Sequence, residues 1–173
     1  LTIFIWKELS LYYIKVYDMN TDKTFYYKAS KNTTAYNFNV NGSQGGQGGK
    51  GGEGGDGKDG KKTEKKIKLP GDGGDGGVGG LGGNGGKGGS VYIFIHPNAL
   101  DFKNKISTNN TGGVLGIGGD GGKGGDPGTP LEGQSEKDSG TAGAKGINGL
   151  AGANGDVINI EVQQFDIEDA KNN

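Results

Sequence analysis

Three kinds of side chain in this sequence have the chemistry for catalysis or ligand binding: one histidine, a set of aspartates and a cluster of lysines. A catalytic histidine needs a nucleophile or an orienting acid beside it. The only histidine, His96, stands before Pro97 and Asn98 in a sequence typical of a turn that ends a strand. Since no nucleophile, acid/base pair or metal cluster stands out, we expect a protein that is not an enzyme and uses no cofactor.

The aspartates lie within glycine-rich sequence and are Asp56, Asp59, Asp72, Asp75, Asp120 and Asp126. Calcium-binding β-roll repeats place Asp in a nonapeptide that also carries a large apolar residue. Here that apolar position is missing and the repeat is a triplet. Together with Lys50, Lys87 and Lys123, these acids predict a solvated edge of interleaved charges. Weak calcium binding stays open as an alternative.

The lysines cluster between two glycine-rich stretches, within 61–70, and are Lys61, Lys62, Lys65, Lys66 and Lys68. Such a run is typical of a solvated turn, and it also suits contact with an anionic surface. Every basic residue of the chain is Lys, which disfavours nucleic-acid partners because the fork of Arg is preferred for base and phosphate contacts. Matches to G-x-G-x-x-G are trivial in glycine-rich sequence, and here they lack the flanking strand and helix.

Four glycine tracts separate these residues: 42–60 (tract 1), 71–90 (tract 2), 112–128 (tract 3) and 140–155 (tract 4). The first three repeat Gly-Gly-X, and the fourth keeps one Gly in three. A three-residue period is that of the polyproline-II helix, whose backbone groups must pair with other helices. We therefore predict a bundle of four polyglycine-II helices. Disorder is one alternative, and a collagen triple helix is disfavoured because the chain has only 4 Pro.

The remaining sequence predicts β-structure and essentially no α-helix. Segments rich in Ile, Val, Tyr, Phe and Thr suggest strands at 2–6, 11–17, 24–28, 35–40, 91–95 and 157–165. The fold class is thus all-β with polyglycine II. We expect a small antiparallel β module from 1–41, 91–111 and 156–168, joined to a bundle from 42–90 and 112–155. Tracts of similar length would gather the strands at one end and the turns 61–70 and 129–139 at the other.

At the Gly-Gly-X tracts, over 42–155, the chain resembles polyglycine-II bundle proteins. Two kinds are similar: adhesins at the tips of bacteriophage long tail fibres, and springtail antifreeze proteins. The resemblance to the adhesins implies that loops between tracts, here 61–70 and 129–139, recognise a receptor. The resemblance to the antifreeze proteins implies a flat ice-binding face built from small or apolar residues at X.

The sequence favours an extracellular or surface-exposed protein without a membrane span. Hydrophobic residues make up 29% of the chain, and no apolar run is long enough to cross a bilayer. Candidate N-glycosylation sites occur at Asn32, Asn41 and Asn109. There is no Cys, so neither a disulfide framework nor thiolate chemistry is expected.

We predict a structural protein that self-assembles with copies of itself into a filament. An apolar strand at either end of the chain would add to the sheet edge of a neighbouring copy. The residues of these two assembly strands are Ile3, Phe4, Ile5, Trp6, Val157, Ile158, Ile160 and Val162. A receptor- or glycan-binding adhesin that uses Lys61, Lys62, Lys65 and Lys66 is the alternative, and ice binding is a third function.

Overall fold

The computed structural model describes residues 1–156 and 158–172, which divide into two compact units. Unit 1 comprises Leu1–Ser43, Gly86–Gly113 and Gly152–Asn173, and unit 2 comprises Gln44–Gly85 and Val114–Ala151. The described residues form these strands: β1 (Thr2–Glu8), β2 (Leu11–Asp18), β3 (Lys23–Ser30), β4 (Tyr36–Asn39), β5 (Lys61–Lys62), β6 (Ile67–Lys68), β7 (Val91–Ile95), β8 (Ile106–Asn109) and β9 (Ile158–Val162).

A five-stranded sheet in the order β3-β2-β1-β7-β9 is the centre of unit 1. The pairs β1–β2 and β2–β3 are antiparallel, whereas β1–β7 and β7–β9 are parallel. The sheet is therefore mixed, and the prediction of an antiparallel module is wrong for the pairs β1–β7 and β7–β9. The cause lies in the connections: short turns join β1 to β2 and β2 to β3, whereas β7 and β9 are each reached through long segments, which allow parallel pairing.

One face of the sheet carries the apolar core of unit 1. Side chains alternate along a strand, so Ile3 and Ile5 of β1 share a face with their register partners on β2 and β7. These partners are Ile14, Val16, Ile93 and Ile95, and all are buried. A 3₁₀ helix, Pro97–Lys105, packs on this face through Ala99 and Phe102. Side chains of β4 and β8 complete the cluster.

The second face of the sheet is aromatic and carries the C-terminal segment. Phe4 stacks on Phe94 with ring centroids 5.4 Å apart, and Phe165 meets Phe4 edge-on at 5.5 Å. Trp6 is buried and stacks on Tyr13 with ring centroids 5.7 Å apart. The chain then forms a short α-helix, α1 (Ile167–Asn172), which the expectation of essentially no α-helix did not include.

The glycine tracts contain neither helix nor strand over the described residues, yet their backbones are regularly hydrogen-bonded. In unit 2, the N–H of Gly45 donates to the carbonyl of Val114, and that of Gly48 donates to Ile117, each over 2.8 Å. The same step of three residues recurs along the tract. Tracts 1 and 3 therefore run parallel in a fixed register.

Tract 2 runs antiparallel to tracts 1 and 3. In unit 2, the N–H of Gly80 donates to Gly49, and the N–H of Gly119 donates to Gly80 in turn. Tract 4 is parallel to tract 2, since Gly79 donates to Ala144. It is also antiparallel to tract 3. Each tract is thus held by N–H···O=C bonds to at least two others, which pairs many of the backbone groups left free by the lack of internal bonds.

Candidate functional site

The two strands predicted to mediate assembly occupy different positions in the sheet. β1, with Ile3, Phe4, Ile5 and Trp6, lies in the middle with a partner strand on each side. A strand paired on both sides has no free edge, so β1 cannot add to the sheet of a neighbouring copy without leaving its own. The prediction for this strand is corrected accordingly.

β9 lies at one edge of the sheet, and within the part of the chain that the structure describes only β7 pairs with it. Ile160 is half-buried opposite Ile93, while Ile158 and Val162 are 42% and 36% exposed. Val157, the remaining predicted assembly residue, lies outside the described residues. The edge of β9 therefore combines an unpaired side of the backbone with partly exposed apolar side chains, as strand addition requires.

The other edge of the sheet is β3, which sequence reasoning did not single out. It carries three consecutive exposed aromatic residues, Phe25, Tyr26 and Tyr27. The hydroxyl of Tyr26 donates to the carbonyl of Lys171, 3.1 Å away, yet 54% of the residue stays exposed. An uninterrupted aromatic run within a predicted strand was visible in the sequence. That the strand is an edge depends on the strand order, which the run does not reveal.

The two edges differ in the sign of their charge. β3 bears Lys23 and Lys28, both exposed, while β9 bears Glu161 and is followed by Asp166, also exposed. Lys28 Nζ lies 5.2 Å from the ring of Tyr13. Among the described residues, neither Lys23, Lys28 nor Glu161 forms an ion pair, so these charges remain available to a partner.

A second candidate surface is the segment 61–69, here called the lysine hairpin. The sequence predicts a turn, and the structure has a two-stranded hairpin in which Lys61 pairs with Lys68 and Lys62 with Ile67. Thr63 closes its tip through a 2.8 Å bond from its N–H to the carbonyl of Lys66. Every residue of the hairpin is exposed, including all four lysines that were proposed as contacts: Lys61, Lys62, Lys65 and Lys66.

An open cleft of about 490 Å³ lies beside the lysine hairpin in unit 2. Its apolar lining consists of Ile67, Leu69 and Leu131, and Glu132 also lines it. Gln134 ties the two loops together, because its Oε1 accepts from the N–H of Leu131 and its Nε2 donates to the carbonyl of Lys68. The hairpin is thus attached to the loop 129–139, and its apolar residues are held at the surface.

The aspartates of the tracts have a structural role that the sequence interpretation missed. Asp59 Oδ1 accepts from the N–H of Thr129, and Asp75 Oδ1 accepts from the N–H of Thr141, each over 2.7 Å. These bonds lower the pKa of both carboxyls, with the backbone N–H as the largest cause. Four of the six aspartates in the predicted solvated edge therefore accept a hydrogen bond from the backbone of a distant segment: Asp56, Asp59, Asp72 and Asp75. The signal was the shared triplet phase of the tracts, which keeps the separation of the bonded residues at 70 for Asp56 and Asp59 and at 66 for Asp72 and Asp75.

The described residues contain no group of three or more His, Cys, Asp and Glu side chains that could hold a metal ion. His96 is buried and caps the 3₁₀ helix, since its Nδ1 accepts from the N–H of Asn98 over 3.2 Å. Its ring also meets Phe165 edge-on at 5.2 Å. Both contacts are structural, and the first of them uses the Nδ1 atom of the ring.

Tyr12 and Asp101 form the clearest polar contact of the core. The hydroxyl of Tyr12 donates to the carboxylate of Asp101, which raises the pKa of Tyr12 to about 12, with burial as the second cause. The same bond lowers the pKa of Asp101. Lys7 lies 3.7 Å from this carboxylate. The arrangement anchors the 3₁₀ helix to the sheet, and it leaves the proton on the phenol at neutral pH.

The three candidate glycosylation residues, Asn32, Asn41 and Asn109, are all exposed. In two of them the side-chain oxygen accepts from the backbone of Thr111: over 3.0 Å for Asn41 and 3.3 Å for Asn109. These bonds use the amide oxygen, so the nitrogen that would carry a glycan is not the bonded atom. Whether any of the three is modified stays a prediction.

Comparisons of this chain with protein-family models, with curated proteins and with solved structures gave no match. Among the described residues, no helix has both the length and the apolar character needed to cross a membrane.

Proposed function

We propose that this protein is an extracellular structural protein that assembles into filaments by adding the β9 edge of one copy to the β3 edge of the next. The observation that supports this proposal is the pair of unlike free edges, one at each end of the strand order. When the β9 edge of one copy meets the β3 edge of another, the joined pair still offers one free edge of each kind. Such a head-to-tail contact repeats without closing unless its rotation happens to form a ring.

The chemistry of the two edges supports their pairing. Backbone N–H and C=O groups of an added strand complete the ladder that an edge leaves open. The aromatic side chains of β3 and the apolar side chains of β9 gain cross-strand contacts, which stabilise sheets. Lys23 and Lys28 on one edge and Glu161 on the other favour this pairing over β3 with β3 or β9 with β9.

The assembly proposal is tested by reversing one charge on each edge. We expect the purified chain to form filaments above a threshold concentration, as seen by electron microscopy and light scattering. Glu161→Lys or Lys28→Glu alone places like charges together and should raise that threshold several-fold. The double variant should restore it. Lys123→Glu, an exposed charge reversal in unit 2, is the matched control. A wild-type chain that stays monomeric at all concentrations contradicts the proposal.

We further propose that the four tracts are polyglycine-II helices packed side by side. Support comes from the bonds that recur every third residue, the step of a helix with three residues per turn. Among the described residues, only Gly133 of the glycines has a positive φ, and it lies outside the tracts. Glycine visits both signs of φ readily, so a uniform sign over the tracts favours one regular conformation.

Hydrogen exchange of the glycine amides tests this packing. The N–H groups of Gly45, Gly48 and Gly51 donate to tract 3 and should exchange slowly. Gly46 and Gly49 have no acceptor among the described residues, so their amides should exchange quickly. The expected protection therefore has a period of three residues. Uniformly fast exchange would indicate disorder, and protection of every second or every residue would indicate another backbone structure.

A receptor- or glycan-binding adhesin is the second candidate function, and the exposed lysine hairpin with its neighbouring cleft favours it. Replacing Lys61, Lys62, Lys65 and Lys66 with Ser should then abolish attachment to host cells. The melting temperature should stay unchanged because all four side chains are exposed. Attachment that survives this variant, or that requires an intact β9 edge instead, would contradict the adhesin.

A further inference from the structure

We propose that the lysine hairpin docks on the surface of a lipid bilayer that carries anionic headgroups. This inference is independent of filament formation, and it gives the hairpin a different partner from the glycan of the adhesin. It follows from the combination of two features in one short segment: a concentration of exposed positive charge and exposed aliphatic side chains beside it.

The positive charge of the hairpin is not neutralised within the protein. The lysines share the segment with one carboxylate, Glu64, and among the described residues none of the five forms an ion pair: Lys61, Lys62, Lys65, Lys66 and Lys68. Among the residues that line the cleft, the one acid is Glu132. A juxtaposition of five lysines is the charge pattern that anionic lipid surfaces attract.

The aliphatic residues decide between an anionic bilayer and an anionic polymer. Ile67 is 59% exposed and Leu69 is 72% exposed, and both face the open cleft with Leu131. A sulfated polysaccharide offers these side chains no apolar environment. The boundary between headgroups and acyl chains does, and binding there scales with buried apolar area as well as with charge.

The hairpin is held in a form suited to contact with a flat surface. Its strands are paired, Thr63 and Lys66 close the tip, and the bond from Gln134 to the carbonyl of Lys68 attaches it to the second loop. Pro70, which follows Leu69, is buried and fixes the base. Little ordering is therefore needed on binding, which limits the entropy cost of docking.

Vesicle sedimentation tests the inference. We expect the wild-type chain to bind vesicles of phosphatidylcholine mixed with phosphatidylserine, to leave pure phosphatidylcholine vesicles unbound, and to be released by high salt. Lys65→Ser/Lys66→Ser should weaken binding about tenfold or more, since each lysine contributes to the electrostatic attraction. Lys123→Ser/Lys145→Ser, which removes two exposed lysines elsewhere in unit 2, should bind as the wild type does.

A second variant separates a bilayer from a polysaccharide. Ile67→Ser/Leu69→Ser keeps every charge and should weaken vesicle binding several-fold, while leaving any binding to heparin unchanged. Absence of binding to anionic vesicles, or vesicle binding that is insensitive to this variant, would overturn the inference. Glu161→Lys, designed to block assembly, should still bind vesicles, so that failure of one proposal is distinguishable from failure of the other. Circular dichroism confirms that each variant is folded.

Discussion

Asp75 and Asn84 occupy the same position of the Gly-Gly-X repeat in tract 2, and each accepts a hydrogen bond from the backbone of tract 4. Asn148 does the same between tracts 4 and 3, where its Oδ1 accepts from the N–H of Gly118 over 2.9 Å. Asp and Asn share a short side chain whose Oδ1 atom lies at the same distance from the backbone. At these positions X is therefore a cross-link between tracts, whether or not it carries a charge.

Where the cross-link is an Asp carboxylate, its contribution to stability should decrease in acid. Where it is an Asn amide, the contribution should not change with pH. The N–H and then the hydroxyl of Thr141 lower the pKa of Asp75. A lowered folded-state pKa contributes stability that is present above the ordinary pKa of Asp, about 3.9, and is lost as the pH falls through the folded value. The contribution of Asp75 should therefore be complete at neutral pH and should decline below about pH 4.

Asp75→Asn and Asp75→Ala measure this effect. At neutral pH, Asp75→Asn should keep a melting temperature close to the wild type because the amide oxygen still accepts, as it does in Asn84. Asp75→Ala should melt lower. In acid the difference between the wild type and Asp75→Ala should shrink. A carboxyl titration of Asp75 by nuclear magnetic resonance that shows an ordinary or raised pKa would contradict the assignment.

The two glycine rows of tract 1 differ in what surrounds them. A Cβ added to Gly48 would lie 2.1 Å from the carbonyl oxygen of Gly80, a distance that no side chain can occupy. A Cβ on Gly49, the adjacent residue, would meet nothing within 4 Å. The same contrast recurs along the tract, so only one of its two glycine rows is required by the contacts of this chain.

A pair of alanine substitutions tests this distinction. Gly48→Ala should lower the free energy of unfolding by about 1–3 kcal/mol or more, because the tracts must separate to admit the methyl group. Gly49→Ala should be neutral or stabilising by about 0.4–1 kcal/mol, since it restricts the unfolded chain and its φ is not positive. Urea unfolding of both variants gives the comparison. Equal losses would show that the two rows are equivalent.

The sequence predicts the existence of the elements better than their order. Alternating apolar residues such as Ile3 and Ile5 place the strands correctly, because a buried face imposes a period of two on the sequence. The 3₁₀ helix from Pro97 was not predicted, since nine residues of irregular helix leave no clear period. The edge positions of β3 and β9 follow from pairings between distant segments, which neither segment encodes by itself.

The apolar core of the described residues lies in the sheet of unit 1, around Ile5, Ile93 and Phe102. In unit 2, large apolar residues such as Val78 and Leu150 are exposed, and the buried positions are mostly glycine. The protein as a whole therefore buries little apolar surface for its length. Its folding depends on backbone hydrogen bonds to a larger extent than in an ordinary globular domain.

Calorimetry should show that the protein buries little apolar surface relative to its backbone hydrogen bonds. The heat-capacity change of unfolding increases with exposed apolar surface and decreases with exposed polar surface, and globular proteins average about 12–15 cal/mol/K per residue. We expect a value below this range, because unfolding of unit 2 exposes mainly peptide groups. Thermal scans at several values of pH give the slope of enthalpy against temperature. A value within or above the average range would contradict this description of the core.

For the candidate surfaces, the sequence located the lysines and the apolar terminal strand but not their setting. Lys61 and its neighbours were evident as a cluster, whereas the adjacent wall of Ile67, Leu69 and Leu131 joins two loops that are distant in sequence. The charge difference between β3 and β9 likewise appears only when the strand order is known. Local composition therefore indicates which residues are available, and the fold decides which of them act together.

The constant spacing of the bonds between tracts restricts how this chain can change in length. Inserting one residue within tract 2 would shift every later X side chain onto a row such as that of Gly82, where a Cβ would lie 2.1 Å from the oxygen of Gly116. Deleting or inserting a whole triplet keeps the phase, but it leaves a neighbour one step too long unless that tract changes as well. The tracts are thus expected to lengthen or shorten together, and by whole triplets.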